Sequence, residues 1–204
     1  NNPNNDGDVS HVELRRNNLQ GILPDEIYTT LPYLNVLDLS DNGLAGTLSD
    51  AIGSNHHWSS SLQVLNLTSN NFSGRITPSI GNLKSLKELY LANNRLEKTI
   101  PHSIGGSSMT HLKHLDLSSN SIQGTIPYEL GSLTTLSSLN LSWNLLVGEL
   151  PHELSNLQTL VELDVSHNNL GGPLISELSS TMFLTKLKLN DNHFSGEVPR
   201  EIGD

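Results

Sequence analysis

The chain of 204 residues carries a formal net charge of −10, and its 11 lysine and arginine residues are scattered, which excludes the clustered basic surface of a nucleic-acid-binding protein. Hydrophobic residues make up only 35% of the sequence, but they are evenly spread, so the composition does not indicate disorder. No apolar run approaches the roughly 20 residues that span a bilayer and no signal peptide is evident, so we expect membrane contact only through segments outside this chain.

The segment from Leu136 to Thr159 recurs, with small variations, in eight copies along the chain. A fixed period of this size predicts stacked coils, each of which buries its apolar side only against its neighbours. We number the positions of each copy from its first residue. The copies start at Val9, Leu34, Leu62, Leu86, Leu112, Leu136, Leu160 and Leu184.

Positions 3 to 7 of each copy, such as Ser138 to Ser142, alternate polar and apolar residues, which predicts a strand with one buried face. Strands of successive copies would lie side by side, ~4.8 Å apart, in one parallel sheet with a shared leucine core. The side chains at positions 3, 5, 7, 8 and 10 are predicted to face solvent and to form a grid on the concave surface.

Position 9 is asparagine in every copy. After the strand the chain must turn inward, and a buried asparagine amide can both donate and accept hydrogen bonds there, so we predict a structural ladder of asparagines between adjacent coils. Its members are Asn17, Asn42, Asn70, Asn94, Asn120, Asn144, Asn168 and Asn192.

The rest of each copy contains a glycine at position 13, which lets the backbone bend, and commonly a proline at position 16. Lys98 replaces the glycine in the fourth copy. Apolar residues at positions 19 and 22 indicate a returning segment that can hold a short helix. The second and fourth copies are longer, at 53–61 and 105–108, and Trp58 and Met109 are predicted to fold back as the missing core residues.

The segment from Leu112 to Leu133, LKHLDLSSNSIQGTIPYELGSL, resembles the plant-type extracellular leucine-rich repeat LxxLxLxxNxLxGxIP, and the motif recurs in register over about residues 9 to 204. The resemblance implies an α/β fold: a right-handed solenoid with its parallel sheet on the concave face and a second short strand near the GxIP segment. It also implies an extracellular or cell-surface location.

The domain prediction is one elongated solenoid over residues 1–204, with residues 1–8 as a polar lead-in. The plant-type family usually closes its solenoids with caps that contain paired cysteines, but this chain has no cysteine. We therefore expect the terminal caps to be absent and the sequence to be an excerpt of a longer chain.

A candidate contact patch lies on the concave surface of copies four to seven. Trp143, at position 8, has no evident core to fill, and aromatic residues are enriched at binding hot spots. Tyr90, His114, Asp116 and His167 complete the predicted patch. The alternative is that all five are ordinary variable surface residues.

Three sequons predict N-glycosylation at Asn66, Asn71 and Asn140, all of which we place at exposed positions. The alternative is that these triplets arise from the repeat itself, in which NLS and NLT occur readily. A glycan on Asn140 would lie beside Trp143 and would move binding elsewhere.

Neither catalytic, metal nor cofactor residues are predicted. Asp116 and Asp164 would lie two strands apart, ~10 Å, on an open sheet without a pocket to raise the pKa of either one. The nine histidines include no HExxH motif and have no cysteine partners. The pairs Glu162–Lys186 and Asp164–Lys188 are expected to form surface ion pairs worth about 0–1 kcal/mol each.

Our leading hypothesis, which rests on the resemblance, is a non-catalytic recognition module of a receptor-like ectodomain that binds a peptide or protein on its concave face, with a co-receptor as a further partner. The alternative is a secreted inhibitor similar to the polygalacturonase-inhibiting proteins. A structural or adhesion scaffold is a third hypothesis.

Overall fold

The computed structural model describes residues 9–54, 56–176 and 183–200. Among these residues the strands form two parallel sheets of eight strands each, and each coil contributes one strand to each sheet. Strands are numbered in chain order. The concave sheet contains β1 (His11–Glu13), β3 (Val36–Asp38), β5 (Val64–Asn66), β7 (Glu88–Tyr90), β9 (His114–Asp116), β11 (Ser138–Asn140), β13 (Glu162–Asp164) and β15 (Lys186–Lys188).

The second sheet runs through positions 10 to 14 of the coils and corresponds to the short strand that the family resemblance implies. Its strands are β2 (Gln20–Ile22), β4 (Gly43–Thr47), β6 (Asn71–Arg75), β8 (Arg95–Lys98), β10 (Ser121–Gly124), β12 (Leu145–Gly148), β14 (Asn169–Pro173) and β16 (His193–Ser195). In both sheets the strands lie in chain order, and each strand reaches its parallel neighbour through a crossover that contains a strand of the other sheet or a returning segment; this arrangement confirms the predicted leucine-rich-repeat solenoid.

Short helices form the returning segment of the coils, as the sequence allows. Those with both ends in the described residues are three α-helices, α1 (Ile27–Thr30), α2 (Ala51–Ser54) and α3 (His56–Ser61), and four 3₁₀ turns at Pro78–Asn82, His102–Gly105, Tyr128–Ser132 and His152–Asn156. Among the described residues no helix has the length and apolarity needed to cross a membrane.

The core is a continuous column of leucines between the two sheets and the helices. In the sixth coil, Leu136, Leu139, Leu141 and Leu146 are fully buried, and full burial of such a side chain contributes about 1.5–3 kcal/mol. The prediction that the two longer coils use other residues to complete this column is confirmed, because Trp58 and Met109 are also fully buried.

The concave strands are shorter than predicted, with three residues at positions 3 to 5, and the prediction that position 7 faces solvent is wrong in most coils. Ser40, Ser142 and Ser166 are almost completely buried. Their hydroxyl groups donate to the side chain two residues earlier, as from Ser142 Oγ to Asn140 Oδ1 at 2.7 Å. A small polar residue can be buried here because its only donor is satisfied.

Beyond the concave strands, the backbone turns left-handed at position 8. All eight residues there have a φ of 54–55°, and none is glycine. Position 13 is also left-handed, with a positive φ at seven glycines and a φ of 67° at Lys98. The predicted role of glycine in bending the backbone is confirmed, and Lys98 adopts the same bend with a side chain that disfavours it.

A second set of glycines, at position 20, allows the returning segments to pack closely. A Cβ atom added at any of them would lie 1.6–2.4 Å from a backbone atom of the next coil, which is far inside van der Waals contact. The sequence analysis did not single out this position. The glycines are Gly53, Gly81, Gly105 and Gly131.

Candidate functional site

The asparagines of position 9 tie each coil to the one before it. Asn144 Oδ1 accepts from the backbone N–H of Ile122 at 3.0 Å, and Asn144 Nδ2 donates to the carbonyl oxygens of Leu117, Leu141 and Ser142 at 3.0–3.2 Å. The same bonds recur at six other asparagines, from Asn42 to Asn192.

Burial varies along this ladder. Asn70, Asn144 and Asn168 are at least nine-tenths buried. The other asparagines of the ladder are half-buried, except Asn17, which is exposed and, among the described residues, donates to Leu14 and Arg15 of its own coil. The ladder is therefore deepest in coils three, six and seven.

The concave sheet places the predicted patch residues in register. Strand β9 lies between β7 and β11, so that Asp116 is flanked by Tyr90 on one side and by Asn140 on the other. His114 is opposite Ser138 in the same pairing. Asp116 and Asp164 are separated by Asn140 of β11.

The aromatic residues of the patch form two separate stacks rather than one cluster. The rings of Tyr90 and His114 stack with centroids 6.5 Å apart, and those of Trp143 and His167 stack at 3.8 Å with an interplanar angle of 19°. The first stack spans coils four and five in the middle of the sheet, and the second spans coils six and seven at its rim.

Trp143 is the most exposed aromatic side chain on the concave side, with 59% of its surface accessible. It sits at position 8, where its φ of 55° turns the side chain out of the sheet. Two further apolar residues of the same coil, Leu145 and Val147, are 47% and 44% exposed and continue from Trp143 onto the second sheet. A contiguous exposed apolar surface of this kind is typical of a contact site.

Tyr90 lies among acidic side chains. Burial, together with the charge of Glu88 and its hydrogen bond, raises the pKa of the Tyr90 hydroxyl to about 12. Tyr90 also lines a concave cleft of ≈340 Å³ whose other walls include Arg15, Asp41 and Asn66. The phenol is therefore a neutral hydrogen-bonding group at ordinary pH.

Arg15 and Asp41 are functional candidates that the sequence analysis missed. The Arg15 Nε atom lies 2.9 Å from Asp41 Oδ2, and the Arg16 Nε atom lies 3.4 Å from the same oxygen. The hydrogen bond from Arg15 lowers the pKa of the Asp41 carboxyl. Arg16 and Asp41 occupy position 8 of consecutive copies. A comparison of the charges at position 8 in successive copies would therefore have indicated an ion pair at Asp41.

The last two described coils contain the expected cross-strand ion pairs. Lys186 Nζ lies 3.5 Å from Glu162 Oε2, and Lys188 Nζ lies 3.0 Å from Asp164 Oδ2. Asp164 is only 6% exposed. Its burial acts to raise its pKa, but hydrogen bonds from Ser166 and Lys188 outweigh that effect, and the pKa is lowered.

The three sequon asparagines are half-buried rather than exposed as we expected. Asn66 Nδ2 donates to Asp38 Oδ2 at 3.2 Å, and Asn140 Oδ1 accepts from Ser142. Asn71 begins β6 on the second sheet, away from the concave surface. The reason for the difference is that the side chains of positions 5 and 10 are packed between those of the neighbouring coils.

Within the described ranges, no three histidine, aspartate or glutamate side chains are grouped so that they could hold a metal ion. His111 Nδ1 lies 3.1 Å from the carbonyl oxygen of Lys84 in the preceding coil, to which it can donate. The titratable groups of the concave side are thus arranged as pairs and stacks.

Comparison with family models identifies the repeat directly. Models described as leucine-rich repeat match residues 33–55, 61–83, 84–146, 156–173 and 183–204, which together make up most of the sequence. The chain belongs to the leucine-rich-repeat family.

Curated relatives of this leucine-rich-repeat chain include plant receptors. Receptor-like protein 39 of Arabidopsis thaliana is 34% identical over 116 residues, which is 46% of this chain and 13% of the relative. The leucine-rich repeat receptor protein kinase MSP1 of Oryza sativa subsp. japonica is 36% identical over 81 residues, 40% of this chain and 6% of the relative. The chain spans only a small part of the length of the curated relatives it matches.

Solved structures with the same repeat architecture include plant receptors and a plant ice-binding protein, the latter with a TM-score of 0.65 and 27% identity, covering 94% of this chain and 67% of that one. The plant peptide hormone receptor RGFR1 in complex with RGF2 has a TM-score of 0.90 and 31% identity, covering 96% of this chain and 30% of that one. The Arabidopsis receptor kinase HAESA in complex with the peptide hormone IDA and the co-receptor SERK1 has a TM-score of 0.86 and 36% identity, with 94% and 31% covered.

Proposed function

We propose that this leucine-rich-repeat chain is a non-catalytic recognition module of an extracellular, receptor-like ectodomain, and that it binds a peptide or protein ligand on its concave face. A co-receptor is the further partner that we propose for the whole protein. The proposal is supported by the similarity to the plant peptide hormone receptor RGFR1, solved in complex with RGF2, and to the receptor kinase HAESA, solved in complex with the peptide hormone IDA and the co-receptor SERK1.

The observation that carries the proposal is the exposed aromatic surface on the concave side. Trp143 keeps 59% of its surface accessible although it makes no contribution to the leucine column. Large aromatic side chains that remain exposed on a rigid sheet supply contact area at a low cost in conformational entropy. The rigid solenoid positions these side chains for contact with a ligand, which supports recognition.

The comparisons favour the receptor-type function over the secreted enzyme inhibitor, since the curated plant relatives are receptor-like proteins and a receptor kinase. In the part of the chain that the structure describes, the concave sheet is open and its charges are paired, so it does not enclose a substrate away from water. The catalytic role is therefore not part of the proposal.

The test is a selection of displayed random peptides on the immobilised protein, followed by binding measurements on two variants. Tyr90→Ala combined with Trp143→Ala removes the concave aromatic residues, and Tyr128→Ala removes a returning-segment aromatic that is also 59% exposed. We expect the concave variant to bind the selected peptides at least ~10-fold more weakly and the Tyr128 variant to bind them as the wild type does.

Two results would overturn the proposal. One is the failure of any peptide family to be enriched on the wild-type protein. The other is equal binding by the wild type and the concave variant, with circular dichroism showing both to be folded.

A further inference from the structure

We infer that the uncovered face of the Trp143 indole is a subsite for one arginine side chain of the bound peptide, whose guanidinium stacks on the indole and bonds to Asp116. This inference rests on the proposed function, because it names the kind of residue that the concave-face ligand must carry.

One face of the indole is already covered. The His167 ring is stacked on it, with the ring centroids 3.8 Å apart and an interplanar angle of 19°. His167 is itself fixed from the other side, since its Nδ1 lies 3.3 Å from Asp191 Oδ2 and its Nε2 lies 3.3 Å from Asn190 Nδ2. The indole is thereby held in one plane, with its rings facing along the solenoid axis.

The opposite face looks toward the fifth coil, where the equivalent residue is Ser119. Backbone bonds fix this neighbour: Ser119 N–H donates to the Ser142 carbonyl at 2.9 Å, and Asn120 N–H donates to the Trp143 carbonyl at 3.1 Å. The Ser119 side chain ends at a single hydroxyl, so it cannot cover an indole. We call the space between Ser119 and the face of Trp143 that His167 does not cover the slot.

The shape and charge of this slot fit a planar cation. A guanidinium is flat, and the face of a tryptophan is the best aromatic partner for a cation. Asp116 lies on the same coil, three residues before Ser119. Its Oδ1 accepts from the Ser118 N–H at 2.9 Å, and within the described ranges no hydrogen-bond donor approaches its Oδ2, so that oxygen can accept from the ligand. The net charge of −10 attracts a basic peptide to this surface.

The experiment uses the peptides selected on the wild-type protein. Their sequences are aligned, and the best binder is synthesised with its arginine retained, replaced by lysine and replaced by citrulline, which keeps the planar shape without the charge. We expect one arginine position to be enriched. The citrulline peptide should bind about 10-fold more weakly, and the lysine peptide should lose about threefold because an ammonium cannot stack as a plane.

Two variants at Ser119 test whether the arginine side chain binds in the slot. Ser119→Phe fills the slot and leaves the Trp143–His167 stack in place, whereas Ser119→Ala keeps the slot open. We expect Ser119→Phe to weaken the arginine peptide at least ~10-fold and to abolish the difference between arginine and citrulline, while Ser119→Ala changes neither.

The outcomes separate this inference from the proposed function. Enriched peptides without a shared arginine, or arginine peptides that bind equally well to Ser119→Phe, would overturn the subsite and leave concave-face binding intact. The absence of any enriched peptide would overturn both. Loss of binding in Ser119→Phe and in Ser119→Ala alike would also contradict the inference, because the open slot is present in the second variant.

Discussion

Replacement of Asn144 by alanine removes one member of the asparagine ladder from the middle of the solenoid. In the folded protein the Asn144 amide accepts from the Ile122 N–H and donates to the carbonyl groups of Leu117 and Leu141, and Asn144 is only 6% exposed. Water cannot easily replace these bonds, because the leucine column closes the coil behind them.

The expected loss of stability depends on which hydrogen bonds the partners of Asn144 keep in the variant. The Leu117 carbonyl still accepts from Asn120, and the Leu141 carbonyl still accepts from Asn168, so both acceptors remain bonded. Only the Ile122 N–H is left without a partner in a buried place. An unsatisfied buried donor costs about 1–3 kcal/mol, so we expect Asn144→Ala to lower the free energy of unfolding by ~1–3 kcal/mol.

Urea denaturation followed by circular dichroism measures this loss, and Asn17→Ala is the matched control. Asn17 is exposed, and its hydrogen bonds to described residues lie within its own coil, so its replacement should cost less than about 0.5 kcal/mol. Equal denaturation midpoints for the two variants would refute the argument, because the effect would then not depend on burial or on the bond between coils.

Three further predictions concern the backbone and the charges. Lys98→Gly should raise the thermal midpoint, with a gain of about 0.5–1 kcal/mol, because it removes a side chain from a residue with a φ of 67°. Gly131→Ala should destabilise by roughly 1–3 kcal/mol or more in urea unfolding, since its Cβ would lie 2.2 Å from a backbone oxygen, whereas Gly171→Ala, with 3.5 Å of room, should be nearly neutral. Lys188→Met should raise the pKa of Asp164 in an NMR titration. Because that pKa is lowered in the folded protein, ionised Asp164 stabilises the fold above its unfolded pKa of ~3.9. This stability is lost as the pH falls through the folded pKa. The free energy of unfolding of the variant, measured against pH, should therefore show a smaller loss on the acid side.

The leucine column and the strands could be predicted from the sequence because each follows from a pattern that is repeated in every coil. Alternation of polar and apolar residues identifies a strand whatever its neighbours are. The burial of Trp58 followed in the same way, since the longer second coil lacked an apolar residue at the expected place. The length of the concave strands was overestimated by two residues.

Features that depend on hydrogen bonds between side chains were not visible in the pattern. The pattern predicted that Ser142 is a surface residue. It is buried instead, and its hydroxyl group donates a hydrogen bond to Asn140 Oδ1. The left-handed turn at position 8 carries no residue signature, since arginine, serine and tryptophan all occur there.

The candidate patch was only partly predictable for a related reason. Sequence position alone places Tyr90, Trp143 and His167 on the same face, but it does not say which rings touch. The structure divides them into two stacks and adds the cleft around Arg15, because ring contact depends on side-chain directions at positions 5 and 8 that differ by the left-handed turn.

The left-handed turn at position 8 allows different side chains to occupy the rim of the solenoid on the same backbone. Six different amino acids adopt the same φ, within one degree, at position 8 of the eight coils, so the path of the backbone does not depend on which side chain is present. A substitution at this position changes the chemistry shown to a ligand and leaves the scaffold unaltered. Ligand preference in this architecture can therefore be recoded one coil at a time.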